Sequence, residues 1–430
     1  MVEGSQPGKN PWYVRAFLGG QVSLSLRQVR TISFLCLASV CATYEFGFLN
    51  AALPQVAEDL GLAAGETGLY VGLIRGGGLL SLLVLPLADR FGRRPIFLAA
   101  LVAFVLGILV SFVSTTVPLF VAAQVWTYAF ALAVQALAIV IVVDELPVSS
   151  HGAAVSMVMI LGGVGMGLAS VFYAWVDVIP WGWRGLLAVP ALAVFLLPAG
   201  WQRLSAALPE SGGQERGGVP GLGWWTSLRE VVRSQRWRVA SIAAVGILLS
   251  MSVTAVEQYA SYFVQVVHGW GPADYSWLFV VGGAVGGLGT VLGGRASDCF
   301  GRRRVGLGVL LPAPLAAWLF FQGPAFLLVV AWAGWIFCVG AAILVLRTFV
   351  AELFPADQRA GSVGWLYATQ AVGSAVGLFA IGTQTASVGD LAVSVALVSL
   401  GTALAAVFLA FLPETNLRNA SSGVVAPSEK

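Results

Sequence analysis

The chain has 430 residues, of which 58% are hydrophobic and only 10% charged. Soluble domains run closer to about 25% charged and under half apolar, so a single water-soluble core, disorder, a coiled coil and a disulfide scaffold are excluded. The 23 basic and 20 acidic residues leave a net charge of +3, too balanced for a nucleic-acid partner.

A helix that crosses a bilayer needs about 20 mainly apolar residues. Twelve such runs follow one another, at 31–52, 67–88, 95–114, 117–143, 153–175, 185–203, 239–266, 274–296, 304–321, 324–350, 360–386 and 389–412. Apolar residues fill every face of these runs, which predicts helices and not alternating barrel strands. The first thirty residues are polar and mixed and do not read as a secretory leader. Arg75 and Arg347 lie inside spans and Arg184 in the connection between the fifth and sixth. The other basic residues fall in the tails or in the even-numbered connections. Acids mark the opposite side: Glu58, Asp59, Glu66, Asp177, Asp274 and Asp390. The positive-inside rule then predicts both termini in the cytoplasm of a multi-pass plasma (inner) membrane protein.

Residues 204–238 break the apolar rhythm, with glycines followed by Arg229, Arg233, Arg236 and Arg238. They read as a cytoplasmic linker whose second half is an amphipathic helix on the inner leaflet. The expected organisation is a tail (1–30), a six-helix bundle (31–203), the linker (204–238), a second six-helix bundle (239–412) and a tail (413–430). The halves repeat. Asp89-Arg-Phe-Gly-Arg-Arg94 follows the second span and Asp298-Cys-Phe-Gly-Arg-Arg303 the eighth, an offset of 298 − 89 = 209. Pro147 and Pro355 close acidic motifs 355 − 147 = 208 apart, and Leu208-Pro-Glu210 returns as Leu412-Pro-Glu414. Duplicated six-span halves are an architecture of secondary transporters.

The two Asp-x-Phe-Gly-Arg-Arg loops resemble the signature loop of the major facilitator superfamily. Glu352-Leu-Phe-Pro355 with Arg359, Leu208-Pro-Glu-Ser211 and Leu412-Pro-Glu-Thr415 are similar to motifs of its sugar-porter, organic-ion and metabolite–proton symporter branches. The resemblance spans about 31–415. It implies an all-α membrane protein of twelve transmembrane helices in two pseudo-symmetric six-helix bundles. It also implies a cytoplasmic latch built from Asp89, Arg90, Gly92, Arg93, Arg94, Asp144 and Glu145 in the first half, and from Asp298, Gly301, Arg302, Arg303, Glu352 and Arg359 in the second.

Ionisable residues within spans are costly and usually face a cavity or each other. Glu45, Arg75 and Glu257 stand out. Glu45 and Glu257 occupy similar places in the repeat, 257 − 45 = 212 apart, and Tyr44-Glu45-Phe46-Gly47 is similar to the acid motif of proton-coupled sugar porters. A Glu45–Arg75 pair is expected either to load and release a proton or to hold two helices together. Tyr44, Asn50, Gln124, Gln135, Gln258, Tyr259, Tyr262, Trp365, Tyr367 and Gln370 are the expected cavity residues, since aromatics and amides suit small organic solutes. Gly163/Gly167, Gly282/Gly286, Gly289/Gly293 and Gly373/Gly377 are small-xxx-small pairs that let helices approach closely. Pro312 and Pro314 predict a bend in the ninth span.

The reading is a secondary active transporter of a small organic solute by alternating access, as a proton symporter and a monomer in the bilayer. Organic-cation or drug efflux by proton antiport, and a transport-inactive membrane sensor, stand as alternatives. Two histidines and four cysteines without ligand spacing give no metal site, and no cofactor is expected. No metalloprotease, nucleophile-elbow, P-loop or nucleotide motif points to an enzyme.

Overall fold

The computed structural model describes residues 25–145, 151–196, 198, 236–353, 359–385 and 388–415. No strand occurs among the described residues. Hydrocarbon offers a backbone amide no partner, so each crossing segment must close its hydrogen bonds within itself. Ten helices are long and apolar enough to cross a bilayer: Gln28–Ala51, Gly65–Ala88, Arg93–Val113, Val117–Val142, Arg236–Val266, Pro272–Phe300, Arg302–Gln322, Ala325–Val350, Trp365–Gln384 and Gly389–Ala410. Two shorter apolar helices, Met157–Tyr173 and Trp183–Phe195, take the fifth and sixth places. The fold is therefore the expected all-α membrane architecture of twelve spans, numbered one to twelve below. The proposed interfacial linker lies outside the described residues except at Arg236–Arg238, which open span seven.

The described residues sort into two compact units. One takes those within 1–62, 73–221 and 271–276, and the other those within 63–72, 222–270 and 277–430. Matching turns join consecutive spans in each. Gly92 (φ 97°) separates spans two and three, and Gly301 (φ 103°) separates eight and nine, a conformation glycine adopts without a Cβ penalty. Span nine breaks where expected, into Arg302–Leu310 and Ala313–Gln322, because Pro312 and Pro314 cannot donate to a helical ladder.

In the first unit, span one lies directly on span five. A Cβ on Gly47 would sit 2.8 Å from the Met166 carbonyl oxygen, and Thr43 Oγ1 donates to the Gly162 carbonyl at 2.6 Å. At the rim of this unit Arg184 pairs with Asp59, donates to the Ser114 carbonyl at 3.1 Å and stacks on Trp183 at 4.2 Å. In the second unit, span seven lies on span eleven in the same way, with a Cβ on Gly377 falling 2.6 Å from the Met251 carbonyl oxygen. Beside these helices the core is aliphatic and aromatic, from Val245 and Leu249 to Phe349 and Leu409.

This packing fixes the register of the repeat. Gly165 backs onto Val40 and Gly373 onto Ile247; Gly47 meets Met166 where Thr254 meets Ser374. The span-one and span-seven members are 247 − 40 = 207 and 254 − 47 = 207 residues apart. Glu45 thus corresponds to Ser252, and Glu257 to Asn50. The expected equivalence of Glu45 and Glu257 fails by five residues, because matching like residues ignores where the backbones touch.

The small-xxx-small pairs also resolve by face. Gly282, Gly286, Gly289 and Gly293 pack on span ten, and Gly373 and Gly377 on span seven, whereas Gly163 and Gly167 have nothing within 4 Å of a Cβ. In span five the contact is made instead by Gly162 and Gly165. Gly47→Val should therefore overpack the span-one/span-five contact and destabilise by about 1–3 kcal/mol, read as a lower melting temperature in detergent. Gly163→Val should leave the melting temperature unchanged.

Candidate functional site

Span one carries an acid into the interior of the first unit. Glu45 is 2% exposed, and neither carboxylate oxygen completes a hydrogen bond of normal geometry among the described residues. Gln124, from span four, lies close enough to weigh on its ionisation, although Gln124 Nε2 also lacks a properly aligned acceptor. Arg75, from span two, acts on the carboxylate through its charge without a direct hydrogen bond. Its Nη2 instead donates to Asn50 Oδ1 at 2.6 Å, and its guanidinium lies 4.8 Å from the Tyr128 ring centroid. The structure thus brings Glu45, Arg75, Gln124 and Asn50 into one buried polar group, but with Asn50 and not Glu45 as the direct partner of Arg75.

Aromatic side chains wall this group. Tyr44 is buried with its hydroxyl unpartnered and packs 6.2 Å from Phe172, while Phe46 packs 5.0 Å from Tyr128. Tyr128 and Phe46 did not stand out in the sequence, because one aromatic among many apolar residues carries no local signal. Gln135 sits eleven residues beyond Gln124 on the same helix, its amide against Gly162.

Span seven carries a polar stripe in the second unit. Thr254, Glu257, Gln258, Ser261 and Gln265 recur at the three- and four-residue spacings that share one helix face. Thr254 Oγ1 lies 2.8 Å from Ser374 Oγ, and Gln265 Nε2 donates to Ser261 Oγ at 2.7 Å. Glu257 is half-buried, while Gln258 and Tyr259 are fully buried. The Tyr259 hydroxyl lies 3.3 Å from Thr67 Oγ1, and its ring meets Tyr262 edge-on at 6.4 Å. On span eleven, Trp365 Nε1 is buried without a partner among the described residues; Tyr367 is exposed and Gln370 half-buried. Thr254, Ser261, Gln265 and Ser374 were missed in the sequence. Their three- and four-residue spacing was the available signal.

At the basic end of the second unit several residues expected to form the latch converge. Arg302 grips Glu352 with two bonds, Nη2 to Oε1 at 2.9 Å and Nε to Oε2 at 3.2 Å, and reaches Asp298 Oδ1 with Nη1 at 2.7 Å. Two-point contact of this kind fixes direction as well as distance. Thr415 Oγ1 donates to Glu352 Oε2 at 2.8 Å. Glu414 accepts from the backbone N–H groups of Arg302 (2.7 Å) and Arg303 (3.1 Å), a carboxylate set on the first turn of span nine where the helix dipole is positive. Arg303 Nη1 donates to the Leu412 carbonyl at 3.2 Å. In the first unit Arg90 is exposed over Phe91, and Arg93 and Arg94 are half-buried. The side chains of Asp89, Asp144, Glu145 and Arg359 lie outside the described part of the structure. No cluster of metal-ligating side chains occurs among the described residues.

The Major Facilitator Superfamily profile matches residues 35–291 and 260–427. A mouse protein, "Solute carrier family 2, facilitated glucose transporter member 10", is 31% identical over 176 residues, 38% of this chain; the match spans about a third of that relative, 32% of its length. Among solved structures, a bacterial homolog of the human lysosomal transporter Spinster superposes with TM-score 0.75 at 15% identity, covering 94% of this chain and 99% of that one. A D-xylose–proton symporter gives 0.71 at 17% identity over 90% and 98%. The nucleoside transporter NupG gives 0.71 at 13% over 89% and 100%. At these identities the structural likeness carries the fold, whereas the profile covers both repeats from the first span to the last. With twelve apolar helices, repeated Asp-x-Phe-Gly-Arg-Arg turns and buried polar groups in each half, the chain belongs to the Major Facilitator Superfamily of membrane transporters.

Proposed function

We propose that the protein is a proton-coupled symporter of a small organic solute, with Glu45 as the group that takes up and releases the proton. The observation that supports this is the Glu45 carboxylate itself, buried in span one beside Gln124 and within the field of Arg75, yet held by no hydrogen bond of normal geometry. A group fixed by several aligned donors would be committed to one charge state. Glu45 is not so fixed, and a small rearrangement of Arg75 or Gln124 changes which state is favoured. Arg75, tied to Asn50, positions the compensating charge.

In this reading the polar stripe of span seven, with Tyr259, Tyr262, Tyr367 and Gln370, contributes to solute binding. The Asp89–Arg94 turn and the Arg302–Glu352–Asp298 cluster form the latch at the cytoplasmic side. Both termini are cytoplasmic, the protein works as a monomer, and the membrane is the plasma membrane.

Coupling is tested in proteoliposomes with pyranine inside, challenged with sugars, carboxylates, amines and nucleosides. The solute class that is carried should acidify the lumen as it enters. A gradient of one pH unit is worth about 1.4 kcal/mol per proton, or about tenfold accumulation. Glu45→Gln should reduce that ratio to about one while exchange of labelled solute continues; accumulation equal to wild type would defeat the proton role. Topology has its own test. Cys299, exposed three residues before Arg302, should react with a membrane-impermeant maleimide in inside-out vesicles and not in intact cells, with Cys299→Ser as the blank. The opposite pattern would reverse the orientation.

A further inference from the structure

Arg347 is a cation inside span ten that takes no part in the Arg302 cluster, and no acid is bound to it among the described residues. It stands six residues before the end of its helix at Leu353, about 9 Å along the axis. Its Nε is buried without a hydrogen-bond partner among the described residues, and its guanidinium carbon lies 5.5 Å from the centroid of the Tyr367 ring. The described acids of this unit are engaged or distant. Glu352 and Asp298 both hold Arg302, and Glu414 holds the first turn of span nine. Glu257 lies beyond the Thr254–Ser374 contact, about 15 Å farther along the bundle than Tyr367.

An arginine near a helix end often extends its head to the membrane interface. Arg347 instead turns toward span eleven and stacks on Tyr367, whose own side is 44% exposed. Gln370 follows Tyr367 by three residues on the same face and is half-buried. The fold does not require this group. At the repeat offset of 208, Arg347, Tyr367 and Gln370 correspond to Ile139, Met159 and Gly162, and the first unit packs without any cation there. An unpaired cation within a span is costly, so its presence in one repeat alone indicates a ligand of opposite charge.

We propose that Arg347, with Gln370 and the Tyr367 ring, binds the carboxylate of a small organic acid, so that the solute carried is an organic anion. The planar guanidinium presents paired donors that match a carboxylate, and the Gln370 amide supplies another. The proposal rests on the reading that the chain carries a small organic solute, and not on proton coupling. A lipid headgroup phosphate offers the same oxyanion chemistry and is separated by the test.

Full-length protein in phosphatidylcholine nanodiscs is titrated with acetate, lactate and benzoate, and with acetamide, lactamide and benzamide as uncharged twins. Tryptophan fluorescence and melting temperature are the readouts. At least one acid should bind saturably and its amide about tenfold more weakly or not at all. Arg347→Gln should weaken that acid about tenfold or more, and Arg347→Lys by less. Gln370→Leu, a second variant that leaves the arginine in place, should weaken it several-fold. Equal binding of acid and amide, no binding of any acid, or unchanged binding by both Arg347→Gln and Gln370→Leu would overturn the proposal. In nanodiscs containing phosphatidylglycerol, native mass spectrometry showing that lipid retained by wild type and lost in Arg347→Gln, with no acid bound, would assign the site to lipid and overturn it as well. Gly163→Val, where an added Cβ meets nothing within 4 Å, should bind the acid like wild type. The titration uses no proton gradient, so coupling can fail while this site stands, and the reverse.

Discussion

Hydrocarbon gives a charge nothing to interact with, and each ionisable residue in these spans must find its compensation inside the protein. On insertion scales the cost at mid-bilayer is about 2.5–3.5 kcal/mol per charged side chain. Glu45, at 2% exposure, is the severest case. Arg75 offsets it through space while its Nη2 is held by Asn50 and its guanidinium lies near the Tyr128 ring. The arrangement is neutral as a whole but soft at the carboxylate, since the direct bonds of the group belong to the arginine. A static helix-to-helix ion pair would show the converse, with both partners held by short, aligned contacts.

The two halves share a packing scheme and differ in what they mount on it. Span one on five and span seven on eleven share a glycine-to-carbonyl contact, Gly165 on Val40 and Gly373 on Ile247, at an offset of 207, while Gly47 on Met166 is matched by Thr254 on Ser374. Close backbone approach tolerates few substitutions, so register persists while side chains diverge. At the level of Asn50 the second half has Glu257, and at the level of Glu45 it has Ser252, whose hydroxyl donates to the Leu248 and Val398 carbonyls. The first half holds an acid and a base close together. In the second, Glu257 and Arg347 stand on different helices and about 15 Å apart along the bundle.

Most of the architecture was legible in the sequence, because hydropathy runs of bilayer length have few other readings. Each expected span has a helical counterpart, and the C-terminal end of the sixth run lies outside the described residues. The glycine turns were legible too, since Gly92 and Gly301 sit between consecutive spans where φ must be positive. Helix faces were harder to read. Gly163 and Gly167 satisfy a spacing rule but offer an added Cβ no neighbour within 4 Å, while Gly162 and Gly165, one and two positions out of that pattern, make the contact. Spacing tells which residues share a face, but not what that face meets. Opposite charge suggested Glu45 as the partner of Arg75, and Arg75 does act on it through its charge, but the direct hydrogen bond goes to Asn50, which composition did not single out as its partner. Glu414 appeared only as part of a repeat motif, because an acid that caps a helix more than a hundred residues earlier in the chain leaves no local trace.

The charges that remain imply an economy of transport. On the two proposals above, Glu45 is relieved by a proton and Arg347 by a carboxylate, on separate helices. Carried together, a proton and a monocarboxylate move no net charge across the bilayer. Their flux then follows the pH gradient and the acid gradient, with the membrane potential, worth about 2.3 kcal/mol per charge per 100 mV, doing no work on the loaded carrier. On the same reading the empty carrier, with Glu45 ionised, carries one acid and one base in each half: Glu45 and Arg75 close together in the first, Glu257 and Arg347 well apart in the second. The return step then also moves no net charge on these four groups. Electroneutrality in both directions would follow from an acid and a base being placed in each repeat, even though the repeats place them at different depths.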